Sequence, residues 1–226
     1  MIEVAQATKL QCRYDAVLYD HDGTLVNSLP VVVEATNRVL VRHGYPIELP
    51  ADIIAGMVLA TAPRMGHHAR NSDRAVQEIM AADFYAEARV LGPQLATAYM
   101  GVADMLNAVS GLNLPQGVVS NNQGEVVRLI LTHLKLADRF ALMYGEDNVP
   151  APKPHPSGLQ QAARSLGVDI HRCVYVGDSE NDSEAAIAAG MPCIGVTWGI
   201  HPRAMMMSLG FNQVIDFPHE LVALIT

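Results

Sequence analysis

The sequence lacks the features that mark several large classes of protein. Its 226 residues contain only three cysteines, which is too few and too odd a number for a disulfide framework. No apolar run approaches the roughly 20 residues that a membrane-spanning helix needs, and residues 1–15 lack the charged-then-apolar order of a signal peptide. These absences predict a cytoplasmic protein.

Positive charge is also scarce. Lys and Arg number 15 against 23 Asp and Glu, which gives a formal net charge of -8. So acidic a chain is not expected to bind nucleic acid or an anionic membrane, and it could hold a phosphate ester only at a local site that includes a cation. Half of the residues are apolar, which is enough to bury the core of one sizeable domain, with or without a smaller insert.

Six short runs of apolar residues recur along the chain and predict strands. They are AVLYD (16–20), GVVS (117–120), ALMYG (141–145), CVYVGD (173–178), CIGVT (193–197) and QVID (213–216). Most are continuous rather than alternating, as in strands that are buried on both faces of a parallel sheet. Helix-like segments lie between them, and two of these end at glycines that suit a helix C-terminus, Gly167 and Gly190. This alternation predicts an α/β fold with a doubly wound parallel sheet.

One interval after the first strand breaks the alternation. It contains no convincing strand, and helical patterns fill it instead. We therefore predict an α/β core formed by residues 1–28 and 99–226, and a helical domain inserted at residues 29–98. The connections between the two contain residues that could serve as hinges, namely Pro30, Gly92, Pro93 and Gly101.

Polar residues follow the predicted strands at the points where those strands end. They are Asp20 and Asp22 after the first strand, Ser120, Asn121 and Asn122 after the second, Lys153 after the third and Asp178 after the fourth. Because the carboxyl ends of parallel strands form the crevice where ligands bind, these side chains should converge although they are far apart in the sequence.

The chemistry of these groups is complementary. Asp20, Asp22 and Asp178 would repel one another unless a divalent cation held them, and a set of oxygen ligands suits Mg²⁺. Lys153 offers a positive charge to a phosphoryl group, and Ser120 offers a hydroxyl. One carboxylate can attack phosphorus to form an aspartyl-phosphate, while a second acid can protonate the leaving oxygen and then activate water.

Four motifs carry a resemblance to a known family. DHDGTL (20–25), SNN (120–122), KPHP (153–156) and GDSEND (177–182) resemble, in order and spacing, those of the haloacid dehalogenase superfamily, and the resemblance covers essentially the whole chain. The helical insert looks like that superfamily's mobile cap, and GVTWG (195–199) is similar to its phosphoglycolate phosphatase-like branch. The resemblance implies a Rossmann-like core with an inserted helical cap, and a Mg²⁺-dependent phosphomonoester hydrolase.

The resemblance also implies which residues perform the reaction. Asp20 would be the nucleophile and Asp22 the general acid and base. Mg²⁺ would be held by the Asp20 carboxylate, the Asp22 backbone carbonyl and Asp178. Asp182, four residues after Asp178, would support the metal through water or orient Lys153.

The phosphoryl group would be held by a second set of residues. By the same resemblance, Ser120, Asn121 and Lys153 would contact its oxygens, and Gly23 and Thr24 would present backbone amides to it. Two of these positions also suit an ordinary structural role. Ser120 and its neighbours could cap the following helix, and Lys153 could be an exposed loop lysine.

A basic cluster lies in the predicted insert and consists of Arg64, His67, His68 and Arg70. Adjacent histidines on a helix point about 100° apart, which makes them a poor metal chelate and more typical of a solvated surface. The cluster could instead reach the non-phosphoryl part of an anionic substrate, so Arg64, His67 and His68 are candidate specificity residues.

Comparison with the motifs of other activities in the superfamily reduces the number of reactions that this chain could catalyse. The second acid, Asp22, disfavours a dehalogenase. The insert has no lysine, which a phosphonate-cleaving enzyme of this type needs to form a Schiff base. A sugar-phosphate mutase usually has a histidine shortly after the first motif, and this chain has none there. Both activities are therefore disfavoured. Asn27 stands where the family usually has Asp, with no predicted consequence.

The remaining interpretation is a phosphatase for a small phosphorylated metabolite, because a cap over the site excludes macromolecules. The leading substrate is 2-phosphoglycolate, with a sugar phosphate or a nucleotide as alternatives. A catalytically silent binding module on the same fold is a hypothesis of a different class. The protein is expected to be a monomer or a homodimer.

Overall fold

Each predicted apolar run contains a strand in the computed structural model, which describes residues 12–226. The strands are β1 (Ala16–Tyr19), β2 (Val26–Asn27), β3 (Thr97–Ala98), β4 (Gln116–Val119), β5 (Leu142–Tyr144), β6 (Cys173–Gly177), β7 (Cys193–Val196) and β8 (Gln213–Ile215). The six predicted strands form one parallel sheet in the order β5-β4-β1-β6-β7-β8. The predicted fold class is therefore confirmed. Most of the segment compared with a signal peptide lies outside the described residues.

From β2 onward, at least one helix lies between each strand and the next. The helices are α1 (Leu29–Arg42), α2 (Pro50–Ala55), α3 (Thr61–Ala69), α4 (Arg74–Leu95), α5 (Val102–Gly111), α6 (Gly124–His133), α7 (Ser157–Leu166), α8 (Glu180–Ala189), α9 (Arg203–Met206) and α10 (Glu220–Ile225). As predicted, α7 and α8 end at glycines, where Gly167 and Gly190 have φ values of 68° and 71°. Such a left-handed conformation suits glycine because it has no β-carbon.

The first strand is buried on both faces, which explains its continuous apolar sequence. Ala16 and Leu18 pack with residues of α7 and α8, while Val17 and Tyr19 pack with residues of α5, α6 and α10 on the opposite face. All four side chains are fully buried. Burial of a side chain such as Leu or Val contributes roughly 1.5–3 kcal/mol to folding, so the two helical layers hold the sheet from both sides.

The path of the chain across the sheet reverses at β1. From β1 the chain passes to β4 and β5 on one side, and it then returns to pair β6 with the opposite edge of β1 before continuing to β7 and β8. In open parallel sheets, such a switch point opens a crevice at the carboxyl ends of the strands. Residues that follow β1, β4 and β6 are thereby brought to one place.

A short antiparallel ribbon joins the inserted helices to the sheet. Val26 of β2 pairs with Ala98 of β3, and Asn27 pairs with Thr97. The sequence predicted no strand from roughly Leu29 to Ala98, so β3 is a finding of the structure. A pairing of two residues leaves no periodicity from which a strand could be predicted.

Helix α4 extends further than predicted. Gly92 and Pro93, which the sequence suggested as hinge residues, lie inside α4. Gly92 allows α4 to approach α6, because a β-carbon at this position would lie 2.7 Å from Ile130 Cγ1. One apolar cluster runs from the sheet into α1 and α4. The division of the chain into a core and a cap domain stays a prediction.

The structure also describes the cysteines and the apolar character of the helices. Cys173 and Cys193 are buried free thiols on β6 and β7, and burial raises the pKa of Cys173 to about 11. Within residues 12–226, no helix combines the length and the apolar character that crossing a bilayer requires.

Gly92→Ala is expected to destabilise the protein although alanine favours helices. The added β-carbon would meet Ile130, whose side chain is 1% exposed and confined by its neighbours. Such overpacking costs about 1–3 kcal/mol, against a gain in helix propensity of about 1 kcal/mol. Urea unfolding should show a lower midpoint with an unchanged slope.

Gly111→Ala is the matched control. Gly111 is the last residue of α5, and a β-carbon there meets nothing within 4 Å. This variant should keep or slightly raise the midpoint. A Gly92→Ala variant that is as stable as the control variant would contradict the close packing of α4 on α6.

Candidate active site

The polar residues that follow β1, β4 and β6 line one cavity of roughly 690 Å³. The carboxyl edge of the sheet forms one wall, and residues of α1, α3 and α4 form the wall opposite. Of the predicted site residues, those that line it are Asp20, Asp22, Gly23, Ser120, Asn121, Lys153, Asp178 and, from the insert, Arg64. The volume lies within the range of small-molecule sites.

The Lys153 ammonium lies between two carboxylates. Its Nζ donates to Asp182 Oδ1 at 2.6 Å and lies 2.7 Å from Asp20 Oδ1. It also donates to the Tyr175 hydroxyl at 2.8 Å. Burial alone would lower the pKa of Lys153, but the charges of Asp182 and Asp20 hold it above its usual value. A permanently charged group is therefore fixed beside Asp20.

Asp182 holds this corner of the site together from beneath the cavity. Its Oδ2 accepts hydrogen bonds from the Asp178 N–H at 3.1 Å, the Ser179 N–H at 3.0 Å and the Ser179 hydroxyl at 2.6 Å. Its Oδ1 accepts from Lys153 and from Tyr175. Because both oxygens are engaged, Asp182 orients Lys153 and the loop after β6.

The Asp22 carboxylate is held by different partners. Its Oδ2 accepts from Asn122 Nδ2 at 3.1 Å. Its Oδ1 lies 3.1 Å from His21 Nδ1, within ion-pair distance but without the alignment of a hydrogen bond. Burial would raise the pKa of Asp22, but the charge of His21 and the Asn122 hydrogen bond outweigh it and lower the pKa. Asp22 is therefore ionised in the ligand-free protein.

The residues after β4 mainly organise their neighbours. Asn121 Nδ2 donates to the Lys153 carbonyl at 2.7 Å, and Asn121 Oδ1 accepts from the Lys153 N–H at 2.8 Å. The Asn121 side chain therefore fixes the backbone of Lys153, and a contact between Asn121 and phosphate stays a prediction. Ser120 is 2% exposed, and its hydroxyl accepts from the Asn122 N–H at 3.1 Å while lining the cavity.

Gly23 differs from the expectation that its amide faces a phosphate. The Gly23 N–H donates to the Val26 carbonyl at 2.9 Å, so it is not available to a ligand. Gly23 has a φ of 80°, and a β-carbon there would overlap the Asp178 carboxylate. The Thr24 hydroxyl donates to Asp178 Oδ1 at 3.2 Å. The two residues therefore bring the loop after β1 against Asp178.

Three buried carboxylates converge at the floor of the cavity, two of them in its lining. Oxygens of Asp20, Asp178 and Asp182 lie within 4.8 Å of one another. Asp182 is engaged with its donors, which leaves Asp20 and Asp178 as the carboxylates that can reach a cation. Burial, reinforced by neighbouring negative charge, raises the pKa of Asp20 to about 7 and that of Asp178 well above its usual range. Such a cluster favours a bound cation.

The basic cluster of the insert is divided between two cavities. Arg64 lines the cavity that contains Asp20, whereas His67, His68 and Arg70 line a second one. His67 and His68 begin one helical turn beyond Arg64, about 5 Å further along α3, and they do not line the cavity around Asp20. The predicted substrate contact through these two histidines is therefore corrected. His68 is also buried, at 4% exposed, rather than solvated.

Two residues that the sequence did not suggest link the insert to the sheet. The Tyr85 hydroxyl on α4 donates to Glu146 Oε1 at 2.6 Å and lies 2.7 Å from Thr61 Oγ1. Glu146 follows β5, so the rule that polar residues at strand ends mark the site could have found it. Tyr85 lies in an ordinary amphipathic helix, and no pattern distinguishes it from a core residue.

Asn27 has a physical explanation in this fold. It lies on β2 within the ribbon, and its Oδ1 is buried without a hydrogen-bond partner. An aspartate with the same orientation would bury an unpaired negative charge, which costs far more than burying a neutral amide. The neutral side chain therefore suits this ribbon.

Comparison with known proteins decides the family. Residues 17–196 match the family described as haloacid dehalogenase-like hydrolase. The chain belongs to this family. A phosphoglycolate phosphatase from Xanthomonas campestris pv. campestris (strain 8004) is 34% identical over 184 residues, which cover 81% of this chain and 83% of the relative. An N-acetylmuramic acid 6-phosphate phosphatase from Pseudomonas aeruginosa is 30% identical, with 93% of this chain and 94% of the relative covered.

Solved structures agree with this assignment at the level of the fold. A predicted phosphoglycolate phosphatase from Haemophilus somnus 129pt superposes on this hydrolase with a TM-score of 0.86 at 22% identity, covering 95% of this chain and 99% of that one. A haloacid dehalogenase-like family hydrolase from Streptococcus pneumoniae gives a TM-score of 0.83 at 19% identity, with 95% and 99% covered. The sheet and the inserted helices of this hydrolase thus follow the fold of the family.

Asp182→Asn is expected to destabilise the hydrolase strongly. An amide would place an NH₂ donor either against Lys153 or against the three donors from Asp178 and Ser179. Removing one partner of a buried ion pair costs about 3–5 kcal/mol. Urea unfolding followed by circular dichroism would measure the loss.

Glu184→Gln is the control, since Glu184 is exposed on the same helix. It makes the same chemical change and should leave the unfolding midpoint nearly unchanged. Equal stability of the two variants would show that Asp182 does not hold Lys153 and the loop after β6 in place.

Proposed function

We propose that this hydrolase is a Mg²⁺-dependent phosphatase that cleaves phosphate monoesters of small metabolites through a phosphorylated Asp20. One observation carries the proposal: Asp20, Asp22, Ser120 and Lys153 come from distant parts of the chain and line one cavity at the strand ends. The names of the two curated relatives, both phosphatases, support it.

In the first step, an oxygen of Asp20 attacks the phosphorus, and the bond between phosphorus and the ester oxygen breaks. Lys153 favours the ionised form of Asp20 and orients its carboxylate, because its Nζ lies 2.7 Å from Asp20 Oδ1. The same ammonium and the Ser120 hydroxyl attract the phosphoryl oxygens, where negative charge is concentrated in the transition state.

Asp22 transfers the protons. Asp22 is ionised in the ligand-free protein because its pKa is lowered, so it first takes up a proton from solvent and then gives that proton to the leaving oxygen. A phosphate dianion beside Asp22 raises that pKa, since a like charge disfavours the ionised form. The Asp22 carboxylate then takes a proton from a water molecule, whose oxygen attacks the phosphorus and releases inorganic phosphate and free Asp20. Asn122 keeps the carboxylate oriented through both steps.

The residues present fit Mg²⁺. The Asp20 and Asp178 carboxylates and the Asp22 backbone carbonyl are all oxygen donors, which Mg²⁺ prefers. The raised pKa values of the two carboxylates indicate negative charges that the protein alone does not neutralise. Bound there, Mg²⁺ would offset the charges of the carboxylates and of the phosphoryl oxygens.

The leading substrate is 2-phosphoglycolate, on the strength of relatives at 34% identity. A larger phosphorylated sugar is the second candidate. The cavity of roughly 690 Å³ leaves ample space beyond a two-carbon acid, and the Pseudomonas aeruginosa relative is named for a sugar phosphate.

Replacing the nucleophile tests the proposed chemistry. With Mg²⁺, the wild type should release phosphate from p-nitrophenyl phosphate, and Asp20→Asn should lower kcat by about three orders of magnitude or more. Asp104→Asn makes the same change in charge at an exposed position on α5 and should retain full activity.

Each result has a distinct meaning. Turnover by Asp20→Asn close to that of the wild type would overturn the nucleophile assignment. A wild type with no metal-dependent turnover would instead favour a catalytically silent binding module on this fold.

Metal binding is tested separately from activity. MgCl₂ should raise the Tm of the wild type, because a ligand that binds only the folded state stabilises it. Asp178→Asn should require at least about tenfold more Mg²⁺ for the same shift, since loss of even a supporting residue costs that much. Asp104→Asn again serves as the control. Identical Mg²⁺ dependence of Asp178→Asn and the wild type would exclude Asp178 as a ligand.

A further inference from the structure

Arg64 carries a buried charge that the described part of the protein does not pair. The residue is 7% exposed, and its Nε has no hydrogen-bond partner. Among residues 12–226, none of the ion pairs includes Arg64. A buried charge without a partner is costly, and an arginine does not escape the cost by losing its proton.

The guanidinium lies on the wall of the active-site cavity. Its Cζ lies 4.7 Å from the centre of the Phe84 ring, a cation–π contact that holds the group but does not neutralise it. Burial lowers the pKa of Arg64, and the charges of Asp22 and Glu146 oppose this from beyond contact distance. The cavity lining contains one further basic side chain of the lysine or arginine type, Lys153, which lies on the wall formed by the strand ends.

We propose that Arg64 binds a carboxylate of the substrate, so that the hydrolase acts on phosphate monoesters of carboxylic acids. The inference rests on the proposed function and deepens it, because it assigns a partner to the non-phosphoryl part of the molecule. The phosphate binds at Lys153 and Ser120, and the carboxylate binds on α3. The apolar side chains of the lining, among them Val32, Met57 and Phe84, contact the carbon skeleton between them.

A carboxylate suits this position better than a second phosphate does. The planar guanidinium matches the two oxygens of a carboxylate, with one charge on each partner. A phosphate dianion would bring a second negative charge toward Asp22 and Glu146, where only one cation faces it. Glu146 itself is tied to the Tyr85 hydroxyl at 2.6 Å, and burial raises its pKa, which weakens its repulsion of a carboxylate.

Two matched pairs of substrates isolate the carboxylate. The short pair is 2-phosphoglycolate and 2-hydroxyethyl phosphate, and the long pair is 6-phosphogluconate and sorbitol 6-phosphate. Each pair differs only by a carboxylate in place of a hydroxymethyl group. The wild type should prefer the acid in at least one pair, and Arg64→Gln should lower kcat/KM for that acid by about tenfold to a hundredfold, mainly through KM. Turnover of the neutral partner and of p-nitrophenyl phosphate should change little.

Two further variants control for charge and for folding. Arg70→Gln removes the same charge from the end of α3, outside the active-site cavity, and should leave the preference for the acid intact. Arg64→Lys keeps the charge but loses the planar fork, so its preference should be intermediate. If Arg64→Gln does not fold, as judged by circular dichroism, Arg64→Lys decides the matter.

The outcomes separate this inference from the proposed function. Suppose that the wild type hydrolyses p-nitrophenyl phosphate, and that the Arg64 variants show the same preference within both substrate pairs as the wild type does. The inference about Arg64 is then overturned, while the proposed phosphatase activity is retained. If the wild type hydrolyses no phosphate monoester, the proposed function fails, and the inference fails with it.

Discussion

The ammonium of Lys153 is the interaction on which the rest of the site depends. It lies within 2.7 Å of carboxylate oxygens on both Asp20 and Asp182, and without it three buried carboxylates would face one another unshielded. Asp182 in turn accepts a hydrogen bond from the Asp178 N–H and so fixes the loop after β6. Asn121, in the loop after β4, fixes the backbone of Lys153. One cation therefore ties together the ends of three strands.

The sheet makes this arrangement possible because the chain switches direction at β1. Strands β4 and β6 flank β1 and belong to segments far apart in the sequence, so the loops that follow them meet over Asp20. The strands are buried on both faces and cannot shift by one residue without exchanging the side chains of the two apolar clusters. The positions of the catalytic candidates are thus set by packing that lies well below them.

Chemistry that repeats along the chain could be predicted, whereas features made by single contacts could not. Continuous apolar runs predicted the parallel sheet, and polar residues at the strand ends predicted the convergence of Asp20, Ser120 and Lys153. The contacts of the Asn121 side chain and of the Gly23 N–H could not be predicted, because composition does not say whether a polar atom faces a ligand or a neighbouring backbone. The separation of Arg64 from His67 had no signal either, since helical spacing puts both residues on nearly the same side.

The contrast between Lys153 and Arg64 explains why a folded protein would retain an unpaired arginine. Lys153 is neutralised by the protein itself, so removing the substrate costs it little. Arg64 has only an aromatic ring and distant carboxylates, and its desolvation is a free-energy cost of folding that an anionic ligand can recover on binding. Proteins retain such unfavourable contributions to folding mainly at functional sites. If phosphate binds at Lys153, which the protein already neutralises, and a second group of the substrate binds at Arg64, the two cations contribute differently to selectivity. Every phosphate ester satisfies Lys153 equally. Only a substrate with a second anionic group neutralises Arg64, so Arg64 is the residue that selects among substrates.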